Sequence, residues 1–405
     1  MDIIELFNQN KQISDWQRNL NKSTRQLLMG LSSSTKAITM ASCVEENHKI
    51  LILTSTYSEA ERLSSDLIDL VGEERVYTFL ADDTPLAEFV FSSQEKIFSR
   101  LEALDFLLDS QQSGFLIVNV AASQLFLSNP VNFNSAYINL KIGQEYELKD
   151  LISQLLNSGY KQVSQVLKQG EFSIRGDILD IFERSSQIPF RVEFFGDEVD
   201  GIRLFNPENQ ISIQNVEHVC VHPATDIIFT KADYKSAQKK IENLIEKTVD
   251  LTLKSYLEEV LANIKEQTQH ADIRKLLSYF YQNEWTILDY LPKYSPIFFD
   301  DFQKIMNKHA QFQLEAANLL TEDLQNSKAV GNQSYFADTY SIFRKYKPAT
   351  LFSNFHKGLG NLKFDSLYQF NQYPMQEFFS QFQLLKEEIS RYKKSNYTVI
   401  IQSNS

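Results

Sequence analysis

Two short apolar runs, Lys49-Ile-Leu-Ile-Leu-Thr54 and Gly114-Phe-Leu-Ile-Val-Asn-Val120, constrain the fold of this chain more than any other feature. Neither alternates apolar with polar residues, so each needs cover on both faces, the pattern of a buried strand in a parallel sheet. Between them, Ser58 to Leu70 and Ser92 to Leu108 repeat apolar residues at helical spacing, with Ser58 or Ser92 as caps. Strands alternating with helices make the first domain α/β. Met1 to Leu31, ahead of them, also carries helical spacing. A third apolar run, Pro296-Ile-Phe-Phe-Asp300, comes far downstream. It permits a return to the first sheet, which would make the chain between an insertion.

Turn-making capacity is concentrated in one place. Glycine is scarce, 12 in 405 residues, and six of the twelve lie between Gly143 and Gly201. That stretch follows the turn-prone Ser128–Asn134 and is rich in strand patterns, with one helix expected around Leu148 to Ser158. After Pro223 the chain turns helical and rich in Lys and Glu from Ala232 to Glu284, with pairs such as Lys239 and Glu242. These shifts divide it into a first α/β part (1–135), an inserted α+β domain (136–223), a second helical part with the returning strand (224–345), and a linker with the start of a truncated domain (346–405). The last rests on the strand-like Tyr397–Gln402.

Bulk composition narrows the chemistry. A net charge of -12 disfavours general phosphate neutralisation, which needs a basic face. The two cysteines, Cys43 and Cys220, form no paired motif, and no charged start leads into an apolar run, so a reducing cytosolic setting is expected. No run reaches membrane-spanning length. His218, Cys220 and His222 alternate along one strand, which puts the outer pair roughly 13 Å apart, too far for one tetrahedral ion. The phenylalanines between Phe352 and Phe382 have the spacing of packing residues and few basic neighbours, so a nucleic-acid stacking platform is disfavoured.

A phosphate-binding loop is nearly present. Gly30-Leu-Ser-Ser-Ser-Thr-Lys-Ala37 keeps the first glycine, Gly30, and the lysine, Lys36. Thr35 replaces the second glycine and Ala37 the hydroxyl that would hold Mg²⁺. The matching acidic strand end, Ile297-Phe-Phe-Asp-Asp301, has Asp300 but carries Asp301 where such ATPases have glutamate. Both halves of a nucleotide site are degraded together, so Gly30, Lys36, Asp300 and Asp301 read as its relic.

Recognition is instead expected in Gly170–Phe205, a β-meander. In Phe190–Phe195 the period of two puts Phe190, Val192 and Phe194 on one side and Arg191, Glu193 and Phe195 on the other. Eight acids and four bases lie between Glu171 and Phe205, and all four bases, Arg175, Arg184, Arg191 and Arg203, are arginine. That choice favours planar pairing with carboxylates on a partner over diffuse attraction to phosphate. The alternative is salt bridging within the domain, to Glu193, Asp197 or Asp200.

At this segment the chain resembles the nucleotide-excision-repair family that includes UvrB and the transcription-repair coupling factor Mfd. The residues that carry the resemblance are Arg175-Gly-Asp-Ile-Leu-Asp-Ile-Phe182, Pro189-Phe-Arg-Val-Glu-Phe-Phe-Gly-Asp-Glu198 and Ile202-Arg-Leu-Phe205, with weaker support from Asp289-Tyr-Leu-Pro292, Asp300-Asp301 and Asn354–Gly360. The degraded loop, and ADDTPLAE between Phe79 and Phe91 where UvrB has a tyrosine-rich hairpin, resemble the amino-terminal, UvrB-like part of the coupling factors. FFDDFQK and YKPATLFSNFHKGLGNLKFD are similar to streptococcal or related low-GC bacterial members.

The resemblance implies a RecA-like α/β domain with a degenerate phosphate loop, interrupted by an inserted α+β domain and followed by the start of another α/β domain. It implies UvrA recruitment through Arg175, Arg191 and Phe195, with Glu193 as a lesser contact on the same face. Ser173 stands where UvrB has another arginine, so any contact there should be weak. Removing Arg191 and Phe195 together should end binding and leave the fold intact. No catalytic residue, metal or cofactor is expected in this stretch. ATP and Mg²⁺, RNA polymerase and DNA belong to other parts of the full-length family members, whose carboxy-terminal domain is expected to mask the UvrA face. The alternative is a divergent UvrB-like ATPase or DNA damage-binding subunit.

Overall fold

The computed structural model describes residues 3–31, 33–44, 49–91, 93–267, 272–353, 359, 361–371 and 381–399. Its main sheet contains β1 (Arg25–Met29), β2 (Lys49–Thr54), β3 (Val76–Phe79), β4 (Gly114–Asn119), β13 (Ile297–Asp300), β14 (Ala349–Ser353) and β15 (Ser366–Gln369). Their order is β15-β1-β14-β13-β2-β4-β3, and every pairing is parallel. Every residue of β2 and β4 is buried. Leu51, Leu53, Leu116 and Val118 enter the core on one face, and Ile50, Ile52, Phe115 and Ile117 the core on the other. Cover on both faces is why these runs lack polar alternation.

The third apolar run does return to this sheet. β13 sits between β2 and β14, with Phe298 opposite Ile52 and Thr350. The chain between is therefore an insertion. It leaves and re-enters through a two-stranded neck of β5 (Ile138–Lys141) and β12 (His218–Val221), paired from Ile138↔Val221 to Lys141↔His218. Beyond the neck lies a second sheet of β6 (Lys161–Gln162), β7 (Glu171–Arg175), β8 (Ile178–Phe182), β9 (Phe190–Phe195), β10 (Glu198–Phe205) and β11 (Ser212–Val216), in the order β11-β10-β9-β8-β7-β6. Helix Leu148–Asn157 packs Leu151 and Leu155 into its core beside Phe172, Val192 and Ile202. After the neck, helices Lys231–Lys247 and Leu251–Glu266 form a helical core of their own, closed by Leu276, Phe280 and Phe126.

Several local expectations change. The end of Met1–Leu31 is strand β1, because Leu27 and Leu28 lie within the sheet and feed its opposite cores. Thr56, not Ser58, caps helix Tyr57–Val71, and Ser93 caps Gln94–Leu108, while Ser92 lies outside the described residues. Glu242 pairs with Lys265 of the neighbouring helix at 3.3 Å, where Lys239 was expected. The segment assigned to a truncated domain contributes β14 and β15 to the first sheet, because Phe352 and Leu351 complete its two cores. Residues 397–399 form no strand, and the remainder of Tyr397–Gln402 lies outside the described residues, as does most of Asn354–Gly360.

Candidate partner-binding face

Two hairpins shape the end of the inserted sheet. Gly176-Asp177 joins β7 to β8 and Gly196-Asp197 joins β9 to β10, as the pairings Arg175↔Ile178 and Phe195↔Glu198 define. Gly176 and Gly196 have φ of 63° and 64°, which the first position of a two-residue hairpin turn requires and glycine adopts without strain. With both turns at the same end, Arg175 and Phe195 flank it from strands β7 and β9.

The register sorts the side chains. Ser173, Asp180, Arg191, Arg203 and Asn215 face one another across β7 to β11, and Arg175, Ile178, Glu193 and Gly201 form the next row. Along β9, Phe190, Val192 and Phe194 are buried in the inserted core while Arg191 and Glu193 are half-buried and Phe195 is exposed. The period-two assignment therefore holds, and Arg175, Arg191, Glu193 and Phe195 share the outer face.

What holds that face is a residue the sequence reading passed over. Asp180, 1% exposed, accepts from Arg191 Nε at 2.6 Å and Nη2 at 2.9 Å, and from Arg175 Nη2 at 2.7 Å. Arg191 Nη2 also donates to Gln210 Oε1 at 3.1 Å, and its guanidinium lies 4.7 Å from the centre of the Phe205 ring. Asp180's hydrogen bonds and charge keep Arg191 protonated above its ordinary range despite burial. Arg203 pairs with Glu193. Arg175, Arg191 and Arg203 thus pair inside the inserted domain, the first two with Asp180 in place of Asp197 or Asp200, while Arg184 pairs outside it. The sequence shows only that an acid interrupts the apolar run Ile178-Leu-Asp-Ile-Phe182; that it faces Arg191 is set by the β8–β9 register.

Exposure differs sharply between the expected contacts. Phe195 is 82% exposed and the Arg175 side chain 52%, whereas the Arg191 side chain is only 16% exposed. Arg191 is a buried brace with an exposed edge, so its removal disturbs the sheet as well as the surface. Any variant that removes Arg191, the Arg191→Ala and Phe195→Ala pair included, therefore costs stability as well as surface. Ser173 is buried and donates to the Ser164 carbonyl at 3.1 Å, so this position lies beneath the 163–168 segment.

Lys36, Asp300 and Asp301, expected as the relic of a nucleotide site, are brought together with their charges satisfied internally. Lys36, on helix Ser33–Ala41, donates to Asp300 at the end of β13, and both are largely shielded. Gly30 has a φ of 81°, and a Cβ there would meet the Phe370 carbonyl oxygen at 2.1 Å, because the chain after β15 crosses over it. Asp301, at a φ of 66°, accepts from Lys304 N at 3.3 Å and caps helix Phe302–Gln325. A small polar cleft lies among Lys36, Glu59, Arg62, Asp300 and Lys304. Glu59 stays below the usual carboxylate range despite burial, because Ser55 and Lys304 bond and pair with it. In place of a projecting hairpin, Pro85–Phe91 is helical, and buried Glu88 takes a bidentate Arg100 at 2.7 Å on both arms.

At the neck, Arg184 of the inserted domain reaches Asp105 of helix Gln94–Leu108, and Tyr137 donates to the same carboxylate. His222 Nδ1 lies 3.0 Å from Glu183, so it has a carboxylate partner, not a metal set. Among the described residues no group of three or more His, Cys, Asp or Glu is placed to hold a metal, and no helix is long and apolar enough to cross a membrane.

Comparison with known proteins agrees with this division. The UvrB interaction domain family matches residues 138–227, from the start of β5 to just beyond the end of β12. A Staphylococcus aureus transcription-repair-coupling factor is 28% identical over 384 residues, 93% of this chain and 33% of the relative. The Bacillus subtilis transcription-repair-coupling factor is 28% identical over 385 residues with the same coverage. The chain spans about a third of the length of these relatives. A restriction-modification enzyme bound to DNA aligns over 89% of the chain at a TM-score of 0.20 and 8% identity, which is no likeness of fold. Residues 138–227 thus match the UvrB interaction domain family, and the chain as a whole is similar to the amino-terminal region of the transcription-repair-coupling factors.

Proposed function

We propose that this chain is the UvrA-recruiting part of a transcription-repair coupling factor, and that the outer face of β7 to β10 is where UvrA docks. The observation that carries this reading is Phe195: a large aromatic 82% exposed at a hairpin end, beside guanidinium groups held by a buried carboxylate. Exposed aromatic and arginine side chains of this kind dominate binding energy at interfaces. In this reading RNA polymerase, DNA and the ATP- and Mg²⁺-dependent motor are engaged by other parts of the full-length protein, whose carboxy-terminal domain covers the face until recruitment. The chain acts in the cytoplasm and does not itself hydrolyse ATP. Support for that last point is Thr35 and Ala37 in the loop together with the engagement of Lys36 by Asp300.

Titration of the chain with purified UvrA tests the proposal, and saturable binding is expected. No detectable complex, or a complex left unchanged by Phe195→Ala, refutes it. An ATPase reading would require hydrolysis that is lost on Lys36→Ala.

A further inference from the structure

We infer that Asp180 is a positioning residue of this face, one that fixes the guanidiniums of Arg175 and Arg191 before UvrA arrives. The inference rests on the docking role proposed above. Asp180 is buried and its two oxygens receive three guanidinium bonds, two from Arg191 and one from Arg175. One negative charge thus organises two positive ones, while Glu198, opposite Phe195, and Asp177 and Asp197 in the two turns balance the positive charge at this end of the sheet. Arg203 and Glu193, alongside, cancel each other.

The two arginines have different tasks. Arg191 is held on three sides, by Asp180, by Gln210 and by the Phe205 ring, so it serves chiefly as a wall. Arg175 donates to Asp180 through Nη2 and its side chain remains half exposed, so donors on the same guanidinium are open to a partner. The Asp180 bond fixes where those donors point. Glu193 and Phe195 follow one another along β9 at about 6.6 Å intervals, and Arg175 lies two strands from Glu193, about 10 Å away. Charge recognition and the aromatic anchor therefore fall within one small footprint. Fixing a long side chain before encounter removes part of its ordering cost, which slows release of the partner.

Kinetics separate positioning from charge. Asp180→Asn raises the positive charge of the face and frees Arg175, so association with UvrA at low salt is expected to hold or quicken. Dissociation is expected to be at least ten times faster, and Asp180→Glu, which restores the charge, should recover less than full residence time because its longer arm shifts both guanidiniums. Should Asp180→Asn fail to fold, as its burial allows, Arg175→Lys is the second arm. It lies at the surface, keeps its charge and cannot bond Asp180 and a partner in the same fork. Unchanged stability and association with faster dissociation support the inference. An unchanged dissociation rate in folded Asp180→Asn, or in Arg175→Lys, overturns it. If Phe195→Ala still weakens binding in that case, the docking face stands and only the role of Asp180 fails. If Phe195→Ala also has no effect, the docking reading fails with it.

Discussion

Phe195→Ala separates the two meanings a phenylalanine can have at the end of a strand. In the free chain the ring is 82% exposed and precedes the Gly196-Asp197 turn, while Phe194 next to it fills the core. Truncation should therefore change folding stability by no more than about 0.5 kcal/mol, the range of surface substitutions. In a complex that covers the ring, burial of a phenylalanine is worth about 1.5–3 kcal/mol. Loss of that term weakens binding about 10- to 150-fold, since each 1.4 kcal/mol is a factor of ten. Calorimetric titration of wild type and variant with purified UvrA, paired with thermal melts of each alone, reads both quantities. Equal affinities with equal melting temperatures would refute the anchor role. A melting temperature lowered by more than a few degrees would refute the exposure on which the estimate rests.

Four further outcomes follow from named contacts. Arg191→Ala should cost ~2–3 kcal/mol in chemical denaturation, less than a fully orphaned buried carboxylate would, because Arg175 keeps its bond to Asp180. Arg100→Ala should cost ~3–5 kcal/mol and release Pro85–Phe91, seen as faster amide exchange there, since it strands Glu88 where both side chains are fully buried. Glu183 is held below its usual range because bonds from His222 and Ser185 outweigh its burial. Its stabilisation is full above about pH 4.5 and fades as pH falls through the lower folded value, so the stability gap between wild type and Glu183→Gln should shrink on acidification in that window. Lys36→Ala should leave ATP binding as absent as in wild type, by equilibrium dialysis, since the lysine is engaged by Asp300.

How much of this was legible depends on whether the deciding contact lies within one strand or between strands. The buried runs of β2 and β4, and the return of β13, could be read because a strand covered on both faces must be apolar throughout. The outer face of β9 could be read for a similar reason, since alternation fixes sides without knowledge of neighbours. Asp180 could not, because its meaning comes from Arg191 across the β8–β9 ladder and Arg175 diagonally across β7–β8, and pairing register is not written in either strand alone. β14 and β15 escaped for the opposite reason. Ala349–Ser353 and Ser366–Gln369 look unremarkable in sequence, yet Thr350 takes the Trp16 indole at 3.0 Å and Phe352 packs on Phe298. Their place in the sheet is set by residues more than 50 positions away in the first case and by β1 in the second.

The Lys36–Asp300 pair has a structural use that follows from the insertion. Lys36 stands before the inserted domain in sequence and Asp300 after it, so their pair ties the two halves of the split α/β domain at the carboxyl end of β13. Lys304 to Glu59, at 3.4 Å, repeats that crossing one helical turn into Phe302–Gln325. A catalytic phosphate loop must keep its lysine free for the nucleotide, and a loop without that demand can use the same lysine as a clasp. The Arg184–Asp105 contact at the neck then ties the inserted domain to helix Gln94–Leu108 of the first half. Lys36, Lys304 and Arg184 thus each place a charge at a seam that the insertion creates.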